Sequence, residues 1–498
     1  MIAGKMTSTD ILLVRVIQKL RNSLVQKEAE LEGLRCQLAA KDEQIRFLEE
    51  ELSLVNHRLG QTSQNSHNPP SRDRFVKPRS RRRPTGRSPG GQPGHKGHTL
   101  RQVPKTEVDE VRIHVAPEHC ASCGHSLDDA AAASYQRRQV FDLPDIRLRV
   151  TEHQLQGKQC PACHRLNRAR APKGVDHPIQ YGPGVKALAV YLHVHHLIPF
   201  DRLRQVFIDL FGQPISTGTL SHMLATADEQ LLPMEAAIHQ QLLKAPVVHC
   251  DETGIRIDNN AWLHVVSTDR LTLFHVDARR GRKALDAINV LPNFRGVAVH
   301  DCYHSYFGYP NCTHALCNAH LLRELEAAFE LTGQQWPHQL RDLLLDAHRR
   351  VELAKAHGKA ALCAHERDQI HNKYAVLINE GQALNPVQAN PQSGGRGRRK
   401  KTKVQNLLER MSQRQDEALR FVDNFHVPFT NNQAEQDLRM AKVKQKISGG
   451  FRTDIGAQRF YRIRSYISTA CKCAFRPIEA LHRLFQGQPF IPIMTRGP

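Results

Sequence analysis

The sequence predicts an α/β protein, a sheet of mixed strand direction with helices, preceded by a coiled coil and a small zinc-binding module. Three observations predict it. First, PVVHCDETGIRI, AWLHVVSTDR and LTLFHVDARR follow one another from residue 246 as three alternating apolar runs. GRKALDAINVL then reads as a helix, RGVAVHDCYHSY as a fourth strand, and THALCNAHLLRELEAAFEL passes from a short strand into a helix. Strands in a run, then helix and strand in alternation, imply mixed directions in one sheet. Second, residues 11–59 carry apolar heptads. Third, two Cys-x-x-Cys pairs lie between the heptads and the sheet.

Ile17, Leu24, Leu31, Leu38, Ile45, Leu52 and Leu59 recur every seventh residue, with Leu20, Leu34, Leu48 and Val55 between them and Lys27 and Lys41 breaking the second row. Such a seam is buried against another helix. Residues 10–60 therefore predict a coiled coil that joins copies of the chain; a helix packed on its own body is the alternative.

Composition changes over residues 61–106. Between Arg72 and Lys105 stand eleven Lys or Arg residues against one acid, Asp73, among Pro, Gly and Ser. A segment so poor in apolar residues does not bury a core. It reads as a disordered basic arm that follows phosphates or enters a minor groove, with Arg81, Arg82, Arg83, Arg87 and Lys96 as DNA-binding candidates. Residues 385–403 hold a second such stretch, with Arg398, Arg399 and Lys400 as candidates. The formal net charge of +21 over 498 residues points the same way, to a polyanionic partner. No apolar run approaches the roughly 18–20 residues that span a bilayer, and the polar start MIAGKMTSTD resembles no signal peptide. The expectation is a soluble, cytoplasmic protein with no membrane partner.

Cys120-Ala-Ser-Cys123 and Cys160-Pro-Ala-Cys163 each put two thiols on one tight turn, the bite of tetrahedral Zn²⁺. The 36 residues between them include VFDLPDIRLRVTEHQL, which reads as a hairpin able to bring the pairs together. Residues 107–175 are thus expected to fold around a structural zinc held by Cys120, Cys123, Cys160 and Cys163, with His114, His119, His125 and His164 as substitute ligands. Residues 176–243 are helical in pattern. Two helices around FGQPIS, capped at Ser216 or Thr217, form a helix-turn-helix candidate, but SHMLATADEQL offers no Lys or Arg to read base edges, which favours ordinary helix packing.

The chemistry is expected at acids that end strands. Asp251 ends the first apolar run and Asp301 the fourth, and loops at strand ends collect functional groups in α/β sheets. Side-by-side carboxylates repel unless a cation lies between them, and oxygen ligands favour Mg²⁺ or Mn²⁺. Glu435, opening a helix in FHVPFTNNQAEQDLRMAKVKQ, is the third candidate. It has other readings: a capping box with Asn432, or a pair with Arg439. Glu252 competes with Asp251. Cys250, Cys302, Cys312 and Cys317, with His314 and His320, read as buried small groups rather than a second metal cluster.

HCDETGIRI, AWLHVVST, VHDCYHSYF, HALCNAHLLRELE, NNQAEQDLRMAKVKQKISGGFRT and YRIRSYISTACK together resemble the insertion-sequence-66 family of bacterial transposases. The leucine-rich N-terminus, the arm GGQPGHKGHTL and the double Cys-x-x-Cys module extend the resemblance from about residue 10 to 485. It implies a DDE catalytic domain of ribonuclease-H-like fold over residues 244–485, with a helical insertion at about 333–420. By that resemblance Asp251, Asp301 and Glu435 are the catalytic acids. Two Mg²⁺ or Mn²⁺ ions would then clamp a scissile phosphate while a water, and then a 3′-hydroxyl, attacks. The implied function is metal-dependent strand cleavage and transfer at the ends of an insertion sequence. The implied partners are double-stranded DNA at element ends and target, further copies of the chain, and accessory proteins of the same element. The implied setting is the nucleoid of a bacterial cytoplasm. One departure stands out: Cys302-Tyr303 follows the second acid where the family often has glycine and a bulky aromatic. His320 and Arg323 are expected to contact DNA or brace the site. A regulator without catalysis, a nuclease that cuts without joining, and an inert zinc and coiled-coil assembly factor are the rival readings.

Overall fold

In a computed structural model of the chain, residues 8–62, 94, 99–258, 260–386 and 401–492 are described. The DNA-binding candidates Arg81, Arg82, Arg83, Arg87, Lys96, Arg398, Arg399 and Lys400 lie outside them. The chain divides into two compact units, one of Met1–Pro78, Tyr181–Phe200 and Thr217–Pro498, the other of Arg79–Gln180 and Asp201–Ser216.

The first unit opens with helix α1 (Ser8–Leu59), 52 residues long, about 78 Å at the rise of an α-helix. Every seam residue from Ile17 to Leu59 is exposed, Leu24 at 61% and Leu38 at 65%. The named seam residues are therefore left open along the helix.

The centre of this unit is a five-stranded sheet. After helices α2 (Pro183–Val190) and α4 (Thr217–Leu242) come β3 (Val247–Arg256), β4 (Asn260–Ser267), β5 (Thr272–Asp277), β6 (Val297–His300) and β7 (Thr313–Leu316). Their order across the sheet is β5-β4-β3-β6-β7. The first three run as antiparallel neighbours; β6 lies parallel to β3, and β7 parallel to β6. The expected strands are all present, and their directions are mixed.

Side chains alternate between the faces. Val248, Cys250 and Ala298 face a core built with Ile238 and Leu242 of α4 and with Leu285 and Ile288 of α5 (Arg282–Ile288). Val297 and Val299 of β6 face the opposite core, which Ala315 and Leu316 of β7 join. That core continues into α6 (Asn318–Thr332), α7 (Trp336–Ala356), α8 (Ala364–Leu384), α9 (Lys403–Gln413) and α10 (Gln415–Asp423), the helices expected between the second and third acids. Helices α11 (Asn432–Ser448), α12 (Asp454–Lys472) and α13 (Pro477–Phe485) complete the unit. The edge strand β5 would present unpaired amides, a liability in any sheet. Hydroxyls of α12 accept them: Ser465 from Phe274 N–H at 2.9 Å and Thr469 from Thr272 N–H at 3.1 Å.

The second unit holds the two Cys-x-x-Cys turns, strands β1 (Gly157–Gln159) and β2 (Leu166–Arg168), and α3 (Phe200–Phe211) beyond its first residue. α3 and α4 are the helix pair expected around FGQPIS. The hairpin expected over residues 140–155 does not form. Val140, Leu143 and Val150 are 89%, 77% and 90% exposed, with no face on which to bury the alternation. The strands form instead on either side of Cys160-Cys163, where the turn sets the register Gly157 to Arg168.

Candidate active site

Asp251 does not end its strand. β3 runs on to Arg256 with Asp251 opposite Val265 of β4. What ends is the other neighbour: β6 pairs with β3 only from Val247/Val297 to His249/Val299. Continuing that parallel register sets Asp251 level with Asp301, which directly follows β6. Both share the parity of Val247, Val297 and Val299, and so the same face of the sheet. The extended register thus brings the two acids to the point where one strand continues and its neighbour turns away, near enough for Asp301 to help push up the Asp251 carboxyl.

The pleat also decides between the adjacent acids. Glu252 takes the opposite face with Val248 and Cys250, where its side chain is 1% exposed. Its Oε1 accepts from Arg280 at 2.8 Å, and its Oε2 accepts from the hydroxyl of Tyr306. The Arg280 guanidinium in turn lies 4.2 Å from the ring centre of Tyr303 and 4.9 Å from that of Trp262. Glu252 therefore braces the turn after Asp301.

The Asp301 loop is held from below. Tyr303 N–H donates to Asp301 Oδ1 at 3.0 Å. Cys302 N–H donates to His300 Nδ1 at 3.3 Å, so His300 carries its proton on Nε2, 3.1 Å from His314 Nδ1. His314 then carries its proton on Nε2, 3.2 Å from the Tyr309 carbonyl. One tautomer set satisfies the whole chain, and burial keeps both imidazoles neutral by pushing their pKa values down. Cys302 has φ of 66°. This left-handed backbone favours glycine and costs a side-chain-bearing residue about 1 kcal/mol. The departure Cys302-Tyr303 is thus a local backbone strain beside an intact acid.

Glu435 comes from α11, anchored by a residue that sequence reasoning passed over. The helix cap is Asn431, not Asn432, and its side chain makes no capping bond. Instead Asn431 Nδ2 donates to the Cys250 carbonyl at 2.8 Å, and its Oδ1 lies 2.9 Å from His249 Nδ1. Its backbone N–H donates to Cys317 Sγ at 3.1 Å. Asn431, 1% exposed, so ties β3 and the start of α6 to the first turn of α11. The signal for it was the doublet Asn431-Asn432, of which only one can cap. The next acid of α11, Asp437, is paired with Lys472 at 2.7 Å.

Glu435 turns to His320, whose Nδ1 lies 3.9 Å from its Oε1, and not to Arg439. That buried Oε1 has no hydrogen-bond partner among the described residues. Burial first, then Glu252, Asp301 and Glu435, push the Asp251 carboxyl well above the ordinary carboxylate range. An orphan carboxylate oxygen and a carboxyl that its neighbours discourage from ionising are what a divalent cation would relieve. Cys250 and Cys312 are apolar core residues, as expected. Cys317 is different: with His320 and Glu435 it forms the one trio of metal-ligating side chains found among the described residues, their ligand atoms all within 4.8 Å.

The two Cys-x-x-Cys turns are copies of each other. Cys120 N–H donates to the His125 carbonyl and Gly124 N–H to the Cys120 carbonyl, both at 2.9 Å. Cys160 N–H donates to Arg165 at 3.0 Å and His164 N–H to Cys160 at 2.9 Å. Gly124 and His164 both take left-handed backbone, at φ of 74° and 57°. Amides inside each turn lower the first thiol, Ser122 and Cys123 for Cys120, Cys163 and Ala162 for Cys160. Each turn has the bite that one half of a zinc site requires, with its first thiol lowered by the turn's own amides. No three of the four sulfurs come within 4.8 Å of one another.

The family described as Transposase IS66 family matches residues 178–459, more than half of the chain. The chain belongs to the IS66 transposase family. Asp251, Asp301 and Glu435 all lie inside that match. The zinc-finger binding domain of transposase IS66 matches residues 117–164 and encloses both cysteine turns, so the IS66 chain carries a zinc-finger domain. A family of unknown function matches residues 17–101, across α1 and the basic arm. No curated protein matches the chain. No helix among the described residues is long and apolar enough to cross a membrane.

Proposed function

We propose that this IS66 chain is a DDE transposase that cuts and joins DNA at the ends of its element, using Mg²⁺ or Mn²⁺ held by Asp251, Asp301 and Glu435. The observation that carries this reading is the register of β3 and β6, which sets Asp251 level with Asp301 on one face, while Asn431 pins the Glu435 helix to that same strand. The strand order, three antiparallel neighbours continued by two parallel ones, supports a ribonuclease-H-like fold for residues 244–485, with α7–α10 as its helical insertion. Bound divalent ions would supply Lewis-acid activation of the attacking hydroxyl and charge relief at the leaving oxygen. The chain's part is to hold: Asp251 on a strand paired past it, Asp301 on a braced loop, Glu435 on an anchored helix.

Other parts follow the same reading. Cys120, Cys123, Cys160 and Cys163 close on one structural zinc, folding residues 107–175. The exposed heptads of α1 join copies of the chain. The basic arm of residues 61–106 and the Arg398–Lys400 stretch hold DNA by its phosphates, as the net charge of +21 supports. Helix α4 of the stretch 176–243 serves packing, its Asp228 and Glu235 held by Arg462, and accessory proteins of the element join the complex.

The test is a nicking and end-joining assay on supercoiled DNA bearing the element ends, with accessory proteins supplied. Wild type is expected to cut and join with Mg²⁺ or Mn²⁺, and Asp301→Asn to bind DNA without cutting. Cutting without joining would make the chain a nuclease. Binding with no cutting by wild type would make it a regulator, and equal cutting by both would remove Asp301 from the site.

A further inference from the structure

Beside the three acids lies a second donor set of different chemistry. Cys317 directly follows β7 and caps α6, and His320 follows one turn later on the same side of the helix. His320 N–H closes that turn on the Cys317 carbonyl at 3.1 Å. Glu435 approaches from α11 with its orphan Oε1, 3.9 Å from His320 Nδ1. Cys317 Sγ is already oriented by the Asn431 amide at 3.1 Å.

We propose that Cys317, His320 and Glu435 form a transition-metal site for Zn²⁺ or a like ion, and that this site draws Glu435 away from Asp251 and Asp301. A sulfur, an imidazole nitrogen and one carboxylate oxygen suit Zn²⁺ or Co²⁺ and ill suit Mg²⁺, which prefers oxygen alone. Tetrahedral zinc separates such ligands by roughly 3.3–3.7 Å; the observed atoms, all within 4.8 Å of one another, need only side-chain rotation to close on an ion. Binding exchanges the thiol proton, released to water, for a sulfur–metal bond. Three protein ligands leave a fourth position open. The metal site rests on geometry alone; its effect on cleavage rests on Glu435 serving the acids as proposed above. An ion that holds Oε1 on the His320 side turns the Glu435 carboxylate from Asp251 and Asp301, so the ion inhibits.

The test uses the full chain, stripped of metal and titrated with Co²⁺ and then Zn²⁺, as wild type, Cys317→Ser, His320→Ala and Asp301→Asn. Cysteine-turn ligands are intact in all four and cancel in the comparison. Wild type is expected to take up about one equivalent more than Cys317→Ser or His320→Ala, with a matching difference in sulfur-to-cobalt absorption. Asp301→Asn is expected to keep that equivalent although it does not cut. Serine can still accept the Asn431 amide, so a folded Cys317→Ser is expected, and His320→Ala serves as the independent variant. Micromolar Zn²⁺ added to a Mg²⁺-driven cleavage reaction is expected to inhibit wild type and spare Cys317→Ser if that variant cuts. Equal cobalt uptake by wild type and both site variants overturns the proposal. Cobalt uptake that differs as expected, with cleavage by Asp301→Asn intact, would instead overturn the catalytic reading and leave the metal site standing.

Discussion

On the proposed reading, the carboxylate site and the cysteine module solve the same problem, holding several ligands for a cation, in opposite ways. Around Asp251, Asp301 and Glu435 the polypeptide fixes the elements that carry the acids, although the three acids, like the four sulfurs, do not bring ligand atoms within 4.8 Å of one another. A parallel register aligns two acids, a histidine pair and a tyrosine amide brace the loop, and a buried asparagine bolts the third element to the first. In the cysteine module each turn is well made, yet the four sulfurs remain apart and the chain between them buries little. There the ion must complete the fold. A preorganised site concentrates like charge and is relieved by metal; a latent site has nothing to hold it until metal binds.

The comparison breaks most readily at the acids. Asp251→Asn, Asp301→Asn and Glu435→Gln are each expected to lower cleavage roughly 10³-fold or more while thermal melting of the sheet domain stays near wild type. Melting that collapses with activity would mean that these acids hold the fold instead. Next in size is zinc removal. Chelation, or Cys160→Ser, should expose residues 107–175 to limited proteolysis, since structural zinc contributes on the order of 10 kcal/mol; the sheet domain should resist the same protease. Equal protection with and without chelator would show a module that folds unaided.

Asn431→Ala sharpens the contrast further. It strips partners from the Cys250 carbonyl and His249, and is expected to cost about 2–3 kcal/mol in denaturant unfolding and to weaken Mn²⁺ binding although no ligand is removed. Unchanged Mn²⁺ affinity would reduce Asn431 to a structural bolt. Ser465→Ala and Thr469→Val leave buried β5 amides unpaired and should each cost about 1 kcal/mol. Smallest of all, Cys302→Gly removes the left-handed strain and a partly buried side chain together, and should stay within about 1 kcal/mol of wild type. A large loss there would show that the thiol has a role of its own.

Much of this was legible in the sequence because it follows period and order. Alternating runs marked β3, β4 and β5, heptads marked α1, and paired cysteines marked the turns. The resemblance directed attention to Asp251, Asp301 and Glu435. The missed features depend on contacts remote in the chain. Nothing local in HCDETG says that pairing with β4 carries β3 past Asp251, or that Glu252 is claimed by Arg280 and Tyr306. Asn432 looked like the cap because capping is a local rule, and Asn431 is occupied 181 residues away at Cys250. Residues 140–155 alternate like a hairpin, but alternation makes strands only where a partner face exists. Cys317 and His320 looked like core filling until α11 brought Glu435 beside them.

The central claim is that three elements present one divalent-ion site. It is tested most directly by Mn²⁺ binding, followed by electron paramagnetic resonance on the full zinc-loaded chain, for wild type and for Asp251→Asn, Asp301→Asn and Glu435→Gln. Saturable Mn²⁺ uptake by wild type, weakened by each substitution and abolished by pairs of them, is the predicted result. Uptake that is unchanged when Asp251 and Asp301 are both replaced would contradict the account.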